Sequence, residues 1–118
     1  MQRAPHYNVQ PSAVAKRPKR SRTVRREAER AAAALSTTRE RLFGLSPGGA
    51  PEHPIAVDAV TVVELRAVAM PCPRCEGQHR VEEHAAVVVE GVRLREVRLV
   101  CRACGSRRSA WFRLPVLN

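Results

Sequence analysis

Aromatic residues are scarce in this 118-residue chain, which contains only Tyr7, Phe43, Trp111 and Phe112. A core built mainly from Val, Leu and Ala is thin, so a small domain of this composition needs a further source of stability. Long apolar runs are also missing, which excludes a stretch of roughly 20 residues able to span a bilayer. The first 20 residues contain no apolar run of the secretory kind, and we therefore expect a cytoplasmic protein that does not bind a membrane.

Cysteine is limited to Cys72, Cys75, Cys101 and Cys104, which form two Cys-x-x-Cys pairs separated by 25 residues. A tight turn across each pair aims both sulfurs at one point, and a nearby glycine lets the chain turn back with positive φ. Gly77 and Gly105 are placed for this role. Four thiolates suit the tetrahedral coordination of zinc. The pattern predicts one structural zinc ion, worth on the order of 10–16 kcal/mol of apparent folding free energy.

The same four cysteines are compatible with other chemistry. Two structural disulfides would require an oxidising compartment, and a thioredoxin-like redox pair would require a strand-to-helix junction. Iron uses similar thiolate ligands, and labile thiols would make the site a redox or zinc-sensing switch. His79 and His84 are also potential ligands, but four thiolates already fill a zinc shell, so we expect ordinary structural histidines.

The segment between the two pairs has the alternation of a β-hairpin. Apolar residues alternate with charged ones from Val81 to Val89 and again from Val92 to Cys101. Glu90-Gly91 is the expected turn, with positive φ at Gly91. A change of parity at Arg95-Glu96 predicts a β-bulge there. The hairpin is expected to return Cys101 to the side of Cys75.

With this order of knuckle, hairpin, second knuckle and further strand, residues 70–114 resemble the zinc-ribbon superfamily. Alternation also predicts a strand over Ile55–Met70 and a last strand over Ser109–Leu114. The expected fold is a small, mainly β zinc ribbon over residues 55–118, with about four antiparallel strands. The resemblance concerns the fold and implies no particular activity, because zinc ribbons occur in transcription factors, polymerase subunits, ribosomal proteins and many other proteins.

Three segments precede the expected ribbon. Residues 1–22 contain three prolines and no hydrophobic period, so we expect a disordered basic tail. Residues 23–44 have an apolar seam typical of an α-helix that Ser21 or Thr23 caps and Gly44 ends. A second capping motif predicts a break near Ser36-Thr37. Residues 45–54 contain three prolines and two glycines and form a linker.

Positive charge is concentrated at the N-terminus. The net charge is +10, made up of +8 over residues 1–44, −2 over 45–70 and +4 over 71–118. Nineteen of the 21 basic residues are arginine, which together with frequent Ala and Val suggests a GC-rich, bacterial genome. Basic residues at a helix start oppose the helix dipole, which favours an anionic ligand over intrinsic helix design. The predicted nucleic-acid-binding residues of this arm are Lys16, Arg17, Lys19, Arg20, Arg22, Arg25 and Arg26. The alternative is a solvated tail that aids solubility.

A second candidate patch is Arg107, Arg108, Trp111 and Arg113, where basic residues interleave with an aromatic. Such a surface can pair with phosphates and stack on bases, at roughly 1–3 kcal/mol per stacked base. Successive strand residues face opposite sides, so only one of Trp111 and Phe112 can lie in the core of a single-faced sheet. The alternative for Trp111 is packing in the core or against the helix.

No motif of an enzyme is present: there is no phosphate loop, no pair of acids in a plausible cleft and no supported Ser/His/Asp set. We therefore expect neither catalysis nor a small-molecule substrate. The sequence predicts a structural-zinc module that binds DNA or RNA through its basic arm. The alternative is a protein-interaction adaptor whose ribbon and helix dock on a larger complex.

Overall fold

The computed structural model describes residues 20–116. Within them the chain forms two helices and four strands. In chain order these are α1 (Ser21–Leu45), β1 (Ile55–Ala56), α2 (Val60–Val68), β2 (His79–Val89), β3 (Val92–Cys101) and β4 (Arg107–Arg113). The chain divides into two units, Met1–Ala32 and Ala33–Asn118, with the boundary inside α1. The first unit contributes the beginning of α1, and the second contains the end of α1 and the whole sheet.

Helix α1 is longer and more regular than the sequence predicts. It includes Ser21 and Arg22, which we expected in a disordered tail, and it continues through Gly44 to Leu45. The expected break near Ser36-Thr37 is absent from this fully described helix. The Thr37 hydroxyl donates to Ala33 O at 3.0 Å, so it is directed back along the same helix and does not cap a new helix start.

The sheet has the strand order β1-β4-β3-β2. β2 pairs with β3 and β3 with β4 in antiparallel fashion, as expected. β1 pairs in parallel with β4, placing Ile55 beside Phe112, so the sheet is mixed where all four strands were expected to be antiparallel. A parallel pair needs a long crossover between its strands, and here α2, β2 and β3 form that connection.

The predicted strand over Ile55–Met70 is wrong beyond Ala56, because most of this segment forms helix α2. Two departures from alternation, Val60 and Val62, are the sequence signal for this helix. Val63 and Ala67 are both fully buried and lie four residues apart, on one helical face that packs on the sheet.

The β2–β3 hairpin turns at Glu90-Gly91 as predicted, with φ of 50° and 81° at these residues. Two consecutive positive φ angles are typical of a tight hairpin turn. The bulge is not at Arg95-Glu96 but on the opposite strand, between Val81 and Glu83. Leu94 and Val97 are both buried although they lie three residues apart, so β3 has buried side chains on both faces and needs no bulge.

The core lies between α2 and one face of the sheet. Its fully buried members on β3 and β4 are Val97, Leu99, Ala110 and Phe112. Phe112 is the aromatic in the core, and Trp111 is half-buried on the opposite face, in agreement with the expectation that only one of the two is internal. The backbone N–H of Trp111 donates to Gly48 O at 2.8 Å, so the turns before β1 contact β4.

Candidate metal centre

Each Cys-x-x-Cys pair lies on a turn with the same pattern of hydrogen bonds. The N–H of Cys72 donates to Gly77 O at 3.0 Å, and the N–H of Cys101 donates to Ser106 O at 2.8 Å. Four residues after the first cysteine of each pair, a backbone N–H donates back to that cysteine's carbonyl, at 2.7 Å from Glu76 and 3.0 Å from Gly105. The two turns are therefore equivalent knuckles.

The residue at positive φ differs between the knuckles. Gly105 has a φ of +77°, as expected, but in the first knuckle it is Glu76, at 63°, that occupies this region and not Gly77. Gly77 is needed because the second knuckle leaves no room for a side chain at this position. A Cβ at Gly77 would lie 3.0 Å from Cys101 Sγ and 2.9 Å from the Ala103 Cβ. The glycine lets the first knuckle approach the second closely enough for the four sulfurs to meet.

The four sulfur atoms converge on one point. All lie within 4.8 Å of one another, with Cys75 Sγ 3.4 Å from Cys101 Sγ and Cys72 Sγ 3.7 Å from Cys104 Sγ. A regular tetrahedron with zinc–sulfur bonds of roughly 2.3 Å has edges of about 3.8 Å. The cluster thus has the size that one four-coordinate metal ion requires, and the expected approach of Cys101 to Cys75 is confirmed.

Backbone N–H groups contact both buried sulfurs. The Arg74 N–H lies 3.4 Å from Cys72 Sγ, and the N–H groups of Ala103 and Cys104 lie 3.4 and 3.5 Å from Cys101 Sγ. Both Cys72 and Cys101 are buried, whereas Cys75 and Cys104 are exposed. Hydrogen bonds to a thiolate stabilise its negative charge. In each knuckle the backbone donors therefore support the buried cysteine, Cys72 or Cys101, as a ligand for a cation.

The thiol pKa values differ in direction within the cluster. Burial by itself raises the pKa of Cys72, but the hydrogen bonds from Ser106 and from the backbone of Arg74 and Cys75 together outweigh it and lower the pKa to about 5. The Gly77 N–H lowers the pKa of Cys75, but the neighbouring sulfurs of Cys101, Cys104 and Cys72, together with a small desolvation effect, outweigh it and raise the pKa to about 12. Deprotonating a second thiol beside an existing thiolate is unfavourable because the two negative charges repel each other. A bound metal ion would offset that repulsion.

Ser106 and Arg108 form a second layer around the sulfurs. Ser106 Oγ lies 3.0 Å from Cys104 Sγ and 3.5 Å from Cys72 Sγ, and it accepts a hydrogen bond of 2.8 Å from Arg108 Nη2. Because arginine is only a donor, the serine oxygen must accept here, which leaves the hydroxyl hydrogen for the sulfurs. Arg108 thereby orients Ser106 as a donor to Cys104 and Cys72.

Arg108 was predicted to bind nucleic acid, but its side chain is only 3% exposed. The guanidinium donates to both carboxylate oxygens of Glu40 on α1, at 2.8 and 3.0 Å, and also to His79 Nε2. His79 is buried, and its Nδ1 donates to Met70 O at 2.7 Å. The Arg108 side chain is thus directed inward because it shares a sheet face with Ala110 and Phe112.

The other residues of the predicted β4 patch do not form one surface with Arg108. Arg107 is paired with Glu82, at 3.0 Å from its Nη2 to Oε2. Trp111 is half-buried beside Gly48, and Arg113 is exposed at the far end of the strand. Glu40 and Ser106 were not predicted at all. The shared parity of Arg108 with Phe112 was a usable signal, but nothing in the sequence indicates that Glu40 returns to this strand.

The predicted basic arm is partly within the described residues. Lys16, Arg17 and Lys19 lie outside them. Arg20, Arg22, Arg25 and Arg26 are exposed at the beginning of α1, and the first turn of this helix contains no acidic residue. Nothing in this turn offsets the repulsion between these cations and the helix dipole.

In comparison with known proteins, no family model, curated protein or solved structure matches the chain. What the structure itself shows is a four-cysteine cluster on a small β-sheet, which fits a zinc-ribbon-like fold. Between residues 20 and 116, no helix has the length and apolar character needed to cross a membrane.

Proposed function

We propose that this chain is a binding module that one structural zinc ion stabilises and that engages nucleic acid through its basic N-terminal arm. Cys72, Cys75, Cys101 and Cys104 would hold the zinc. All four ligands are thiolates, so the coordination shell is closed and offers no position for a reactive water. The metal therefore has a structural task, and we assign no catalytic activity to the centre.

The observation that carries the nucleic-acid proposal is the exposure of arginine at the beginning of α1. Arg20, Arg22, Arg25 and Arg26 are all exposed, and the first helical turn has no carboxylate. Helix starts ordinarily carry acids, since the helix dipole is positive there. A polyanion placed along this segment would neutralise the excess charge and release counterions from the nucleic acid.

The test is the salt dependence of binding by the zinc-loaded chain to duplex DNA and to single-stranded RNA. Arg22→Gln, Arg25→Gln and Arg26→Gln are combined in one variant. The matched control combines Arg41→Gln, Arg66→Gln and Arg80→Gln, which are also exposed but lie outside the arm and the cysteine knuckles. Each phosphate contact adds about 0.9 to the slope of log K against log salt on duplex DNA.

We expect the arm variant to bind duplex DNA more weakly and to flatten the slope by about 3, while the control keeps the slope of the unmodified chain. A slope of about 1 for the unmodified chain, or equal losses in the two variants, would contradict a phosphate-binding arm. Comparing the DNA and RNA affinities at one salt concentration then identifies the preferred nucleic acid.

A protein-interaction adaptor is the second candidate function, and the exposed leucines of α1 favour it. Leu35, Leu42 and Leu45 are 50%, 57% and 66% exposed, and their spacing of seven and three residues places them along one side of the helix. Under this alternative, removing residues 1–22 leaves partner capture intact, whereas a Leu35→Ser, Leu42→Ser variant loses the partner but retains nucleic-acid binding.

A further inference from the structure

The two edges of the sheet differ in how the rest of the chain covers them. At the β4 edge the outward backbone groups are hydrogen-bonded within the chain. The N–H of Trp111 donates to Gly48 O at 2.8 Å, and the C=O of Arg113 accepts from the Val57 N–H at 3.0 Å. The short strand β1 pairs with the same side of β4, beside Phe112. The chain therefore closes this edge itself.

The opposite edge of the sheet is β2, and it is open over Ala85–Val89, the half of the strand that ends at the hairpin turn. The turn joins Val89 to Val92 with positive φ at both intervening residues. These two residues therefore form a hydrogen-bonded pair, and bonded and non-bonded pairs alternate from there along the hairpin. The N–H and C=O groups of Ala86 and Val88 thus point away from β3. Among residues 20–116, no backbone hydrogen bond from outside the hairpin reaches them.

The features that normally keep a strand edge from pairing with another chain are confined to the other half of β2. Those features are charged side chains, proline and β-bulges. The first half of β2 has a bulge between Val81 and Glu83 and several charged side chains. Ala85–Val89 consists of two alanines and three valines, of which Val88 is 66% exposed. This half has no charge, no proline and no bulge, so it is available to pair with a further strand.

A second copy of the chain fits this edge as an antiparallel strand. A two-fold axis beside Val87 would bring Val87 opposite its own counterpart and Ala86 opposite Val88 of the other copy. Ala86 and Val88 carry the outward N–H and C=O groups, so the two strands can exchange hydrogen bonds in both directions. The alanine and valine side chains of one copy then cover those of the other, and neither copy keeps an open β2 edge.

The charges that flank the segment favour an antiparallel pair over a parallel one. Antiparallel pairing about Val87 places Glu83 of one copy opposite Gly91 of the other. It likewise places His84 opposite Glu90, so no two acids face each other. Parallel pairing in register would place Glu83 and Glu90 each beside its own counterpart, and like charges directly opposite each other destabilise paired strands.

We propose that the Ala85–Val89 edge of β2 pairs with the same edge of a second copy, giving a two-fold symmetric dimer. The contact involves far fewer than the roughly 20–30 residues a side of a standard interface. We therefore expect a reversible dimer with a Kd in the micromolar range and not in the nanomolar range. The inference is independent of the nucleic-acid proposal, because this edge and the basic arm share no residue.

The test is sedimentation equilibrium of the zinc-loaded full-length chain, without nucleic acid, from about 1 to 500 μM. The edge variant is Val88→Lys, which introduces a charge at a side chain that is already 66% exposed. The matched control is Val92→Lys, at a 43% exposed position of the same hairpin that lies on β3 and not on the outer edge.

A second edge variant, Val88→Pro, removes an outward N–H that the pairing of β2 with β3 does not use. Native mass spectrometry at concentrations where the chain is monomeric measures the bound zinc and the folded charge-state distribution of every variant. Because the two edge variants act by different means, a folding defect in one of them leaves the other as the test.

The unmodified chain and Val92→Lys are expected to convert from monomer to dimer over this range, whereas either edge variant should have a Kd at least about tenfold weaker. A monomer at every concentration would leave the edge to a strand of another protein and overturn the proposal. A dimer that Val88→Lys leaves unchanged, or one that is lost in Leu35→Ser, Leu42→Ser, would place the contact elsewhere and also overturn it. Growth beyond a dimer would contradict a closed two-fold contact.

Amide hydrogen exchange then tests the contact residue by residue. The amides of Ala86 and Val88 should exchange slowly only at concentrations that form the dimer, because their N–H groups point outward. Those of Val87 and Val89 should be protected in the monomer as well, because their N–H groups bond to β3. Exchange at Ala86 and Val88 that does not change with concentration would overturn edge pairing even in a chain that dimerises.

Discussion

Glu40 and Arg108 are 68 residues apart in the chain and form a two-pronged ion pair. Arg108 Nη2 lies 2.8 Å from Glu40 Oε1, and Arg108 Nε lies 3.0 Å from Glu40 Oε2. The same guanidinium sits 5.7 Å from the centre of the Phe43 ring and donates to Ser106 beside the cysteines. Glu40, near the end of helix α1, is therefore connected to the cysteines through the side chain of Arg108 and then that of Ser106.

Glu40→Gln should lower the free energy of unfolding of the zinc-loaded chain by about 1–3 kcal/mol, because the Arg108 charge loses its paired carboxylate while remaining buried. Urea unfolding at fixed free zinc measures this. Glu29→Gln, an exposed position on the same helix, is the control and should change the value by less than about 0.5 kcal/mol. Equal effects of the two substitutions would show that the pair contributes nothing specific.

The effect of Glu40→Gln should depend on pH in a defined direction. The hydrogen bond from Arg108, which outweighs an opposing effect of burial, lowers the pKa of Glu40 from its ordinary value of 4.5. A carboxyl whose folded pKa is lowered stabilises the fold above its unfolded pKa and loses that contribution as pH falls through the folded pKa. The difference between the unmodified chain and Glu40→Gln should be constant near neutrality and shrink as pH falls below 4.5. A difference that grows with acidity would contradict this assignment.

Ser106→Ala should weaken zinc binding, because the hydroxyl donates toward the Cys104 and Cys72 sulfurs and spreads their negative charge. Loss of a group in this outer layer typically lowers metal affinity by about 10–100-fold. Competition with a chromogenic chelator gives the zinc dissociation constant. Ser109→Ala is the control, since the Ser109 hydroxyl donates to Glu96 and does not contact the cysteines. An unchanged zinc dissociation constant for Ser106→Ala would show that the Ser106 hydroxyl does not contribute to metal binding.

The two knuckle glycines should respond differently to alanine. In Gly77→Ala the new Cβ would lie 3.0 Å from Cys101 Sγ, so the knuckles must separate, and the zinc dissociation constant should rise at least about tenfold. In Gly105→Ala no neighbouring atom lies within 4 Å, but the φ of +77° remains. That variant should retain zinc affinity and lose about 1–2 kcal/mol of stability through backbone strain. Equal loss of zinc affinity in both variants would contradict the separate roles given to these glycines.

Local patterns were sufficient to predict the knuckles and the hairpin. The spacing of Cys72 and Cys75, its repetition at Cys101 and Cys104, and Glu90-Gly91 between two alternating runs each specify a structure over a few residues. Their convergence at the sulfur cluster follows, because an antiparallel hairpin returns the second pair to the first.

The sequence could not reveal the contacts between segments that lie far apart along the chain. Helix α2 was mistaken for a strand because Val57, Ala59, Val63 and Leu65 alternate with polar residues, and the departures at Val60 and Val62 gained meaning only once Val63 and Ala67 were seen to pack against the sheet. The parallel contact of β1 with β4 and the contact of Glu40 with Arg108 join residues more than 50 positions apart. No periodicity within either segment contains information about the other.

The measurement that tests the central claim most directly is native mass spectrometry of the full-length chain, purified under reducing conditions with zinc in the buffer. The account predicts one species, with the mass of the chain plus one zinc ion and with the thiol protons displaced. Cys101→Ser, which removes a buried ligand, should lose the bound ion and the folded charge-state distribution. A metal-free chain with two disulfides, a chain that retains iron and not zinc, or a folded chain without metal would each contradict a structural zinc centre.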